Sequence, residues 1–423
     1  MEVRVLDKRP YEPLDAGSLP RRLAAAPGLA HRIGPAEHWR VREVGDGNLN
    51  LVFIVEGPLG AVIAKQALPY ARCVGESWPL SLERSYFEYH ALVRLGQRDP
   101  GRLPQVHAFD QEQALIVMDY LTPHVILRKS LMAGEVLPHL DRQMGQYLAR
   151  TLFRGSDFAL KTAHRKRDLA LFAGNVELCG ISEDLIFTDP FCVSQRNRVT
   201  PGLEEDAAAV RADRELKLAA ATLKRTFATC AETLLHGDFH SGSVMVTAQD
   251  SRVIDPEFAF YGPMGFDIGA FLGNLLMAYF AKAGHDAEDG AREAYEDWIL
   301  QLMEGVWSAF EAEFAQLWRT ERTGMLGLAE LFEHGGDAEG AEAALEAVLG
   351  DIWRDTLGFA GIEMHRRILG LAHIPEFETI ADLSLRAACE RRALAMGRRL
   401  MLQADTFSDP RHISRLARSV RTV

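Results

Sequence analysis

The sequence contains few cysteines, no excess of basic residues and no long apolar run, and each absence narrows the range of functions. The five cysteines are scattered and form no CxxC pair, which argues against a disulfide framework or a zinc site and for reduced thiols in the cytoplasm. The formal net charge of -12 does not favour a nucleic-acid partner.

Neither the N-terminal segment nor the longest apolar stretch has the pattern of a signal peptide or a membrane-spanning helix. The N-terminal residues 1–22 are charged and lack the apolar region of a signal peptide. The longest apolar stretch, 268–281, is shorter than the roughly 20 residues of a spanning helix. It also contains two glycines and an asparagine, so we expect it to be a buried helix.

The chain has 423 residues, which is too long for one typical core and predicts two lobes. Apolar runs predict strands and one helix before residue 120, and helical periodicity dominates afterwards. We therefore predict an α+β, bilobal fold with a small β-rich N-terminal lobe at 1–118, a hinge at 119–122 and a larger, mainly α-helical C-terminal lobe at 123–423. The predicted strands are 40–44, 50–56, 61–66, 105–109 and 114–118; the predicted helices are 82–95, 204–229 and 292–319.

A glycine-rich hairpin followed by a strand lysine is the first indication of a nucleotide site. Gly45, Gly47 and Asn48 lie in the turn, where glycine lets backbone approach a phosphate closely. Lys65 follows an apolar strand and can direct its ammonium group to the phosphates of ATP, while Glu88 in the next helix can pair with it. Taken singly, each of these features is more often an ordinary turn, strand end or helix surface.

Two acidic segments in the second half of the sequence complete the pattern. Asp238 lies in a glycine-tight loop after an apolar strand, where a carboxylate can accept the proton of a substrate hydroxyl; His236 would brace that loop. Asp255 and Glu257 follow the next apolar strand and supply the oxygen ligands that Mg²⁺ prefers.

The order of these elements is more informative than any one of them. A glycine hairpin, strand lysine, hinge, aspartate loop and metal carboxylates follow one another as in the protein-kinase-like fold. The hairpin does not match GxxxxGK[ST], so it is not a Walker nucleotide site.

Four longer stretches resemble one specific family, the S-methyl-5-thioribose kinases of methionine salvage, and the resemblance covers most of the chain. The stretches are GDGNLNLVF at 45–53, CVGESWPL at 73–80, HGDFHSGS at 236–243 and VIDPEFAFYGPMGFDIGAF at 253–271.

The resemblance implies a role for each matching position. Asp238 is the catalytic base or orienting carboxylate, and Asp255 and Glu257 hold Mg²⁺. Lys65 holds the ATP phosphates. The remaining implied positions are the adenine-contacting hinge residues Met118, Asp119 and Tyr120, the sugar-loop residue Trp78, the loop-bracing Asp267 and the tandem Arg366 and Arg367, which reach the sugar or the transferring phosphoryl group.

One position departs from the protein-kinase pattern. Ser243 stands where protein kinases have the asparagine that holds a second metal ion, as in the family that this sequence resembles.

The implied reaction is ATP-dependent phosphorylation of the 1-hydroxyl of S-methyl-5-thio-D-ribose by a cytoplasmic homodimer, with no nucleic-acid or membrane partner. One alternative is a related kinase that acts on another alcohol, such as choline or an aminoglycoside. A second is an inactive kinase fold used as a scaffold, but a scaffold has no need of Lys65, Asp238, Asp255 and Glu257 together. A nucleic-acid binder is the third, and the charge balance weighs against it.

Overall fold

The structure is a computed structural model that describes residues 10–26, 28–45, 49–72, 75–285 and 290–421. The described residues form two compact units. The first contains the chain up to His124 together with Asn175–Leu178 and Arg252–Ala259. The second contains Val125–Gly174, Cys179–Ser251 and the chain from Phe260 onward. The predicted lobe boundaries at 118 and 123 stay predictions.

Most strands belong to the first part of the chain and most helices to the second, which confirms the predicted α+β class. The strands are β1 Arg40–Glu43, β2 Asn50–Gly57, β3 Gly60–Ala67, β4 Tyr70–Ala71, β5 Gly75–Pro79, β6 Val106–Asp110, β7 Leu115–Asp119, β8 Val125–Ile126, β9 Thr233–Leu234, β10 Val244–Val246, β11 Ser251–Val253 and β12 Tyr261–Gly262. The α-helices are α1 Leu19–Leu23, α2 Leu29–Ile33, α3 Arg84–Arg98, α4 Leu127–Ala133, α5 Leu140–Arg154, α6 Thr162–Phe172, α7 Val176–Leu185, α8 Glu204–Ala212, α9 Arg214–Thr229, α10 Gly265–Lys282, α11 Gly290–Thr320, α12 Ala338–Leu369, α13 Pro375–Glu378, α14 Leu383–Gln403 and α15 Pro410–Arg421.

The first unit is built on an antiparallel sheet with the strand order β1-β2-β3-β7-β6 among the described residues. Alternate side chains of β2, β3 and β7 point to one face, where the N-terminal segment with α1 and α2 packs on them. Lys65 lies within β3, paired with Val52 and Ile116, so its side chain points to the opposite face. The sheet thereby separates a covered apolar face from the face that carries the lysine.

Helix α10 is buried along its whole length, as expected for the apolar stretch that it contains. Gly265, Gly269 and Gly273 lie one turn apart and face α12, where a side chain at any of them would collide with that helix. Small residues therefore let two helix backbones approach closely. None of the helices that the structure describes combines the length and the apolar character needed to cross a membrane.

One predicted helix was wrong at an internal boundary. The helix predicted at 204–229 breaks at Asp213, whose side chain accepts the N–H of Leu216 and caps α9. Asp337 caps α12 in the same way by accepting the N–H of Gly340. The segment 75–79 forms β5 and pairs with β4.

Adding one methyl group to the α10–α12 contact should destabilise the protein. In Gly269→Ala the new Cβ would lie 2.5 Å from the carbonyl oxygen of Thr356 and 2.7 Å from Cβ of Phe359. We expect the free energy of unfolding to fall by about 1–3 kcal/mol, the usual cost of overpacking.

The matched control is Gly350→Ala on the exposed side of α12, where a Cβ would meet no atom within 4 Å. Because alanine favours helix over glycine, this variant should be unchanged or more stable by about 0.5–1 kcal/mol. Urea unfolding measures both variants, and equal stabilities would contradict the proposed close packing.

Candidate active site

Lys65 is the centre of a charged cluster in the first unit, which we call the lysine cluster: Lys65, Glu88, Asp255 and Glu257. The Lys65 ammonium donates to Oε1 of Glu88 at 2.8 Å and also forms an ion pair with Asp255. Burial lowers the pKa of Lys65, but the charges of Asp255, Glu88 and Glu257 outweigh it and raise that pKa above its ordinary value. The lysine is therefore held as a cation, in the form that binds phosphate.

Glu257 is anchored by two polar side chains that the sequence analysis did not assign. Asn50 Nδ2 donates to Oε2 of Glu257 at 2.9 Å, and Arg84 Nε lies 3.8 Å from the same oxygen. The Arg84 guanidinium also donates to Oδ1 of Asn50 at 3.0 Å. From the other side, the Asn175 amide donates to the backbone carbonyl of Glu257 at 3.0 Å. These contacts fix the carboxylate in a buried position.

The carboxylates of Glu88, Asp255 and Glu257 have the chemistry of a hard-cation site. One oxygen from each lies within 4.8 Å of the others, and carboxylate oxygens are the ligands of divalent cations such as Mg²⁺. Burial raises the pKa of Glu257 and of Glu88, so a bound cation would relieve an unfavourable concentration of negative charge. Lys65 donates to both Glu88 and Asp255, so the choice of Asp255 and Glu257 as the two ligands stays a prediction of the family resemblance.

The backbone at Asp255 supports the same interpretation. Its φ of 68° is in the left-handed region, which residues other than glycine rarely adopt. Such conformations persist where the surroundings impose them, and they concentrate at functional positions.

In the second unit, the loop 236–243 is held by the buried carboxylate of Asp267. Oδ2 of Asp267 accepts the backbone N–H of His236 at 2.7 Å, and Oδ1 accepts that of Gly237 at 3.0 Å. Gly237 has a φ of 84°, which glycine adopts without strain. At the far end of the loop, Ser243 Oγ donates to the carbonyl oxygen of Asp238 at 3.0 Å.

Asp238 contacts Arg366 and Arg367, the two arginines that the resemblance assigns to the sugar or the transferring phosphoryl group. Nη1 of Arg366 and Nη2 of Arg367 each donate to Oδ1 of Asp238 at 3.2 Å. Burial raises the pKa of Asp238, but His240 and the two arginines outweigh burial and hold that pKa well below its ordinary value. Asp238 is therefore an anion, and its side chain is 21% exposed to solvent.

The two arginines are kept side by side by the buried carboxylate of Glu363, one helical turn before them on α12. It accepts from Arg366 Nη1 at 3.1 Å and from Arg367 Nε at 2.6 Å. Burial raises the pKa of Glu363, but the two guanidinium charges outweigh it and lower that pKa below its ordinary value. The two guanidinium groups can lie together at the Asp238 carboxylate because a second anion, Glu363, balances their charge.

The remaining predicted positions can be described only by their place in the fold or by a local contact. Gly45 lies in an exposed turn, and Gly47 and Asn48 lie outside the described residues. Trp78 is half-buried in β5. Met118 is buried in β7, whereas Asp119 accepts the backbone N–H of Gln105 at 2.9 Å and is followed by the half-buried Tyr120. Their predicted roles in binding ATP and sugar stay predictions.

Five polar residues that contact these side chains were not predicted from the sequence, namely Asn50, Arg84, Asn175, His240 and Glu363. Two of them carried a usable signal. Glu363 precedes Arg366 and Arg367 by three and four residues, which is the spacing of neighbours on one helix face. His240 lies two residues after Asp238 in the same tight loop.

A sheet-bound lysine with its glutamate, paired carboxylates and an aspartate held by arginines together define a phosphotransferase. The profile of the "Phosphotransferase enzyme family" matches residues 40–311 of the chain.

Curated relatives extend this similarity over nearly the whole length. "Methylthioribose kinase 1" of Oryza sativa subsp. japonica is 47% identical over 387 residues, which cover 91% of this chain and 90% of the relative. "Methylthioribose kinase" of Escherichia coli O45:K1 is 46% identical over 407 residues, covering 94% of this chain and 96% of the relative. The chain belongs to the methylthioribose kinases, which confirms the predicted enzyme class.

Loss of the Asp267 charge should release the loop 236–243. In Asp267→Asn, an amide NH₂ must face the backbone N–H of His236 or Gly237, so one buried donor loses its acceptor. We expect the free energy of unfolding to fall by about 1–3 kcal/mol.

Asp351→Asn is the control, because the exposed Asp351 pairs only with the exposed Arg354 among its described contacts, and surface ion pairs contribute about 0–1 kcal/mol. Urea unfolding and turnover are measured on both variants. An Asp267→Asn variant as stable and as active as its control would exclude the bracing role.

Proposed function

We propose that the chain transfers the γ-phosphoryl group of ATP to the 1-hydroxyl of S-methyl-5-thio-D-ribose, with Mg²⁺ as the divalent ion. The proposal rests above all on the contact of Asp238 with Arg366 and Arg367, in a chain that belongs to the methylthioribose kinases. An anionic acceptor for a hydroxyl proton and two guanidinium donors for phosphoryl oxygens then lie in one cluster.

The lysine cluster serves the nucleotide in this proposal. Lys65, kept cationic by Glu88 and Asp255, donates hydrogen bonds to phosphate oxygens. Asp255 and Glu257 would hold Mg²⁺, which neutralises phosphate charge when it is bound. Asn50 and Arg84 keep Glu257 in place for that purpose, since both contact its carboxylate.

Asp238 orients the acceptor hydroxyl and takes its proton late in the transfer. A carboxylate whose pKa is held below its ordinary value is a weak base, so it cannot deprotonate a sugar hydroxyl in advance. Phosphoryl transfer requires little basic strength, because the loose transition state depends mainly on positioning and on charge stabilisation. The proton moves to Asp238 as the hydroxyl oxygen bonds to phosphorus and the bond to ADP breaks.

The sugar carries no charge, and an acidic protein needs no basic field to attract it.

We also propose that the protein is a homodimer, which is supported only by the family resemblance. Sedimentation equilibrium would test this, and a monomer at working concentration would contradict it.

The first experiment is ADP release from Mg-ATP with methylthioribose, choline and an aminoglycoside offered separately. We expect turnover with methylthioribose alone. Asp238→Asn should lower kcat by about 10²- to 10⁴-fold while ATP binding is retained, because the proton acceptor is lost.

Asp405→Asn, an exposed aspartate paired with Arg354, should retain the native rate. Turnover with choline or the aminoglycoside, but none with methylthioribose, would remove the sugar assignment and leave the kinase. An Asp238→Asn variant with native kcat would remove its role as proton acceptor.

The metal assignment is tested with Glu257→Gln, which keeps the shape of the side chain and removes its charge. We expect the Mg²⁺ concentration for half-maximal turnover to rise at least about tenfold. Glu346→Gln, at an exposed position of α12, should keep the native value. An unchanged Mg²⁺ requirement in Glu257→Gln would exclude Glu257 as a ligand.

A further inference from the structure

The hydrogen bonds of His240 determine which of its ring nitrogens carries the proton. Nδ1 accepts the backbone N–H of Gly242 at 2.8 Å, so this nitrogen is unprotonated. In the neutral ring the proton is therefore on Nε2, which lies 3.2 Å from Oδ2 of Asp238. Gly242 is required for this arrangement, because a Cβ there would lie 2.6 Å from Cε1 of the ring.

The surroundings of the ring favour its neutral form. The charged groups that face it are Asp238 in its own loop, Arg128 on α4 and Arg367 on α12. Burial is the main cause that lowers the pKa of His240 to about 4. Asp238 opposes this shift, whereas Arg367 and Arg128 add to it. A second proton would also have to displace the N–H of Gly242 from Nδ1.

The described contacts of Asp238 leave one acceptor position open. A carboxylate has about four lone-pair positions, two on each oxygen. Oδ1 accepts from Arg366 and Arg367, and Oδ2 faces the Nε2 of His240. The second lone pair of Oδ2 is the one that these contacts do not use.

We propose that His240 is a positioning residue that acts as a neutral Nε2–H donor to Oδ2 of Asp238, so that the acceptor hydroxyl occupies the remaining lone pair of that oxygen. The inference rests on the proposed function for the identity of the hydroxyl. In this inference His240 and the two arginines together determine which oxygen of Asp238 accepts the proton and from which direction the proton arrives.

The tautomer is tested without any substrate. Protein labelled with ¹⁵N-histidine is examined by NMR from pH about 6 to about 8, where an ordinary histidine titrates. The His240 signals are assigned by their loss in His240→Gln. We expect the neutral Nε2–H tautomer throughout, and an Nδ1–H tautomer or a titration within this range would overturn the proposal.

The positioning role is tested by kinetics on the same protein. His240→Ala removes the donor and should lower kcat by about 10- to 100-fold with an unchanged KM for ATP. His240→Gln can present Nε2–H near the position of the ring nitrogen and should recover most of that loss. His334→Ala, an exposed histidine on the described surface, should match the native protein.

The outcomes separate this inference from the proposed function. If the native protein does not phosphorylate methylthioribose, the proposed function fails while the NMR result still decides the tautomer. If native turnover is present and a folded His240→Ala variant has native kcat, the positioning role fails. A His240→Gln variant no better than His240→Ala would also contradict it, because the donor would then not be the feature that matters.

Discussion

Compensation of buried charge is the constraint on which the second unit's site depends. Asp238 can remain ionised away from bulk water because Arg366 and Arg367 donate to it, and these two cations can lie together because Glu363 accepts from both. Removing one member would leave an unbalanced charge on the others. The arrangement therefore holds the Asp238 carboxylate in one orientation, which is what its proposed role in positioning the acceptor requires.

The first unit follows the same physical rule with the signs exchanged. Lys65 is one cation among several carboxylates, and burial makes each additional negative charge more costly. Asn50 and Arg84 offset part of that cost at Glu257. The carboxylates of this cluster outnumber its ammonium group, and this excess of negative charge is the basis of the metal site proposed above.

The distribution of apolar residues in the sequence was sufficient for the main elements of the fold, because buried elements need apolar side chains. The strands of the large sheet and the buried helix α10 were predicted from runs of apolar residues. Boundaries were less predictable. The starts of α9 and α12 depend on single capping aspartates, Asp213 and Asp337, and apolar periodicity carries no information about a cap.

For the candidate site, too, some features could be predicted from the sequence and others only from the structure. Motif order and family resemblance nominated Lys65, Asp238, Asp255 and Glu257 as candidates for one reaction, and their roles stay proposals. The partners of these residues followed only from the tertiary structure, since Asn50 is 207 positions from Glu257 and Arg366 is 128 positions from Asp238. Local sequence encodes the identity and spacing of side chains, whereas contacts between distant segments are decided by how the elements pack.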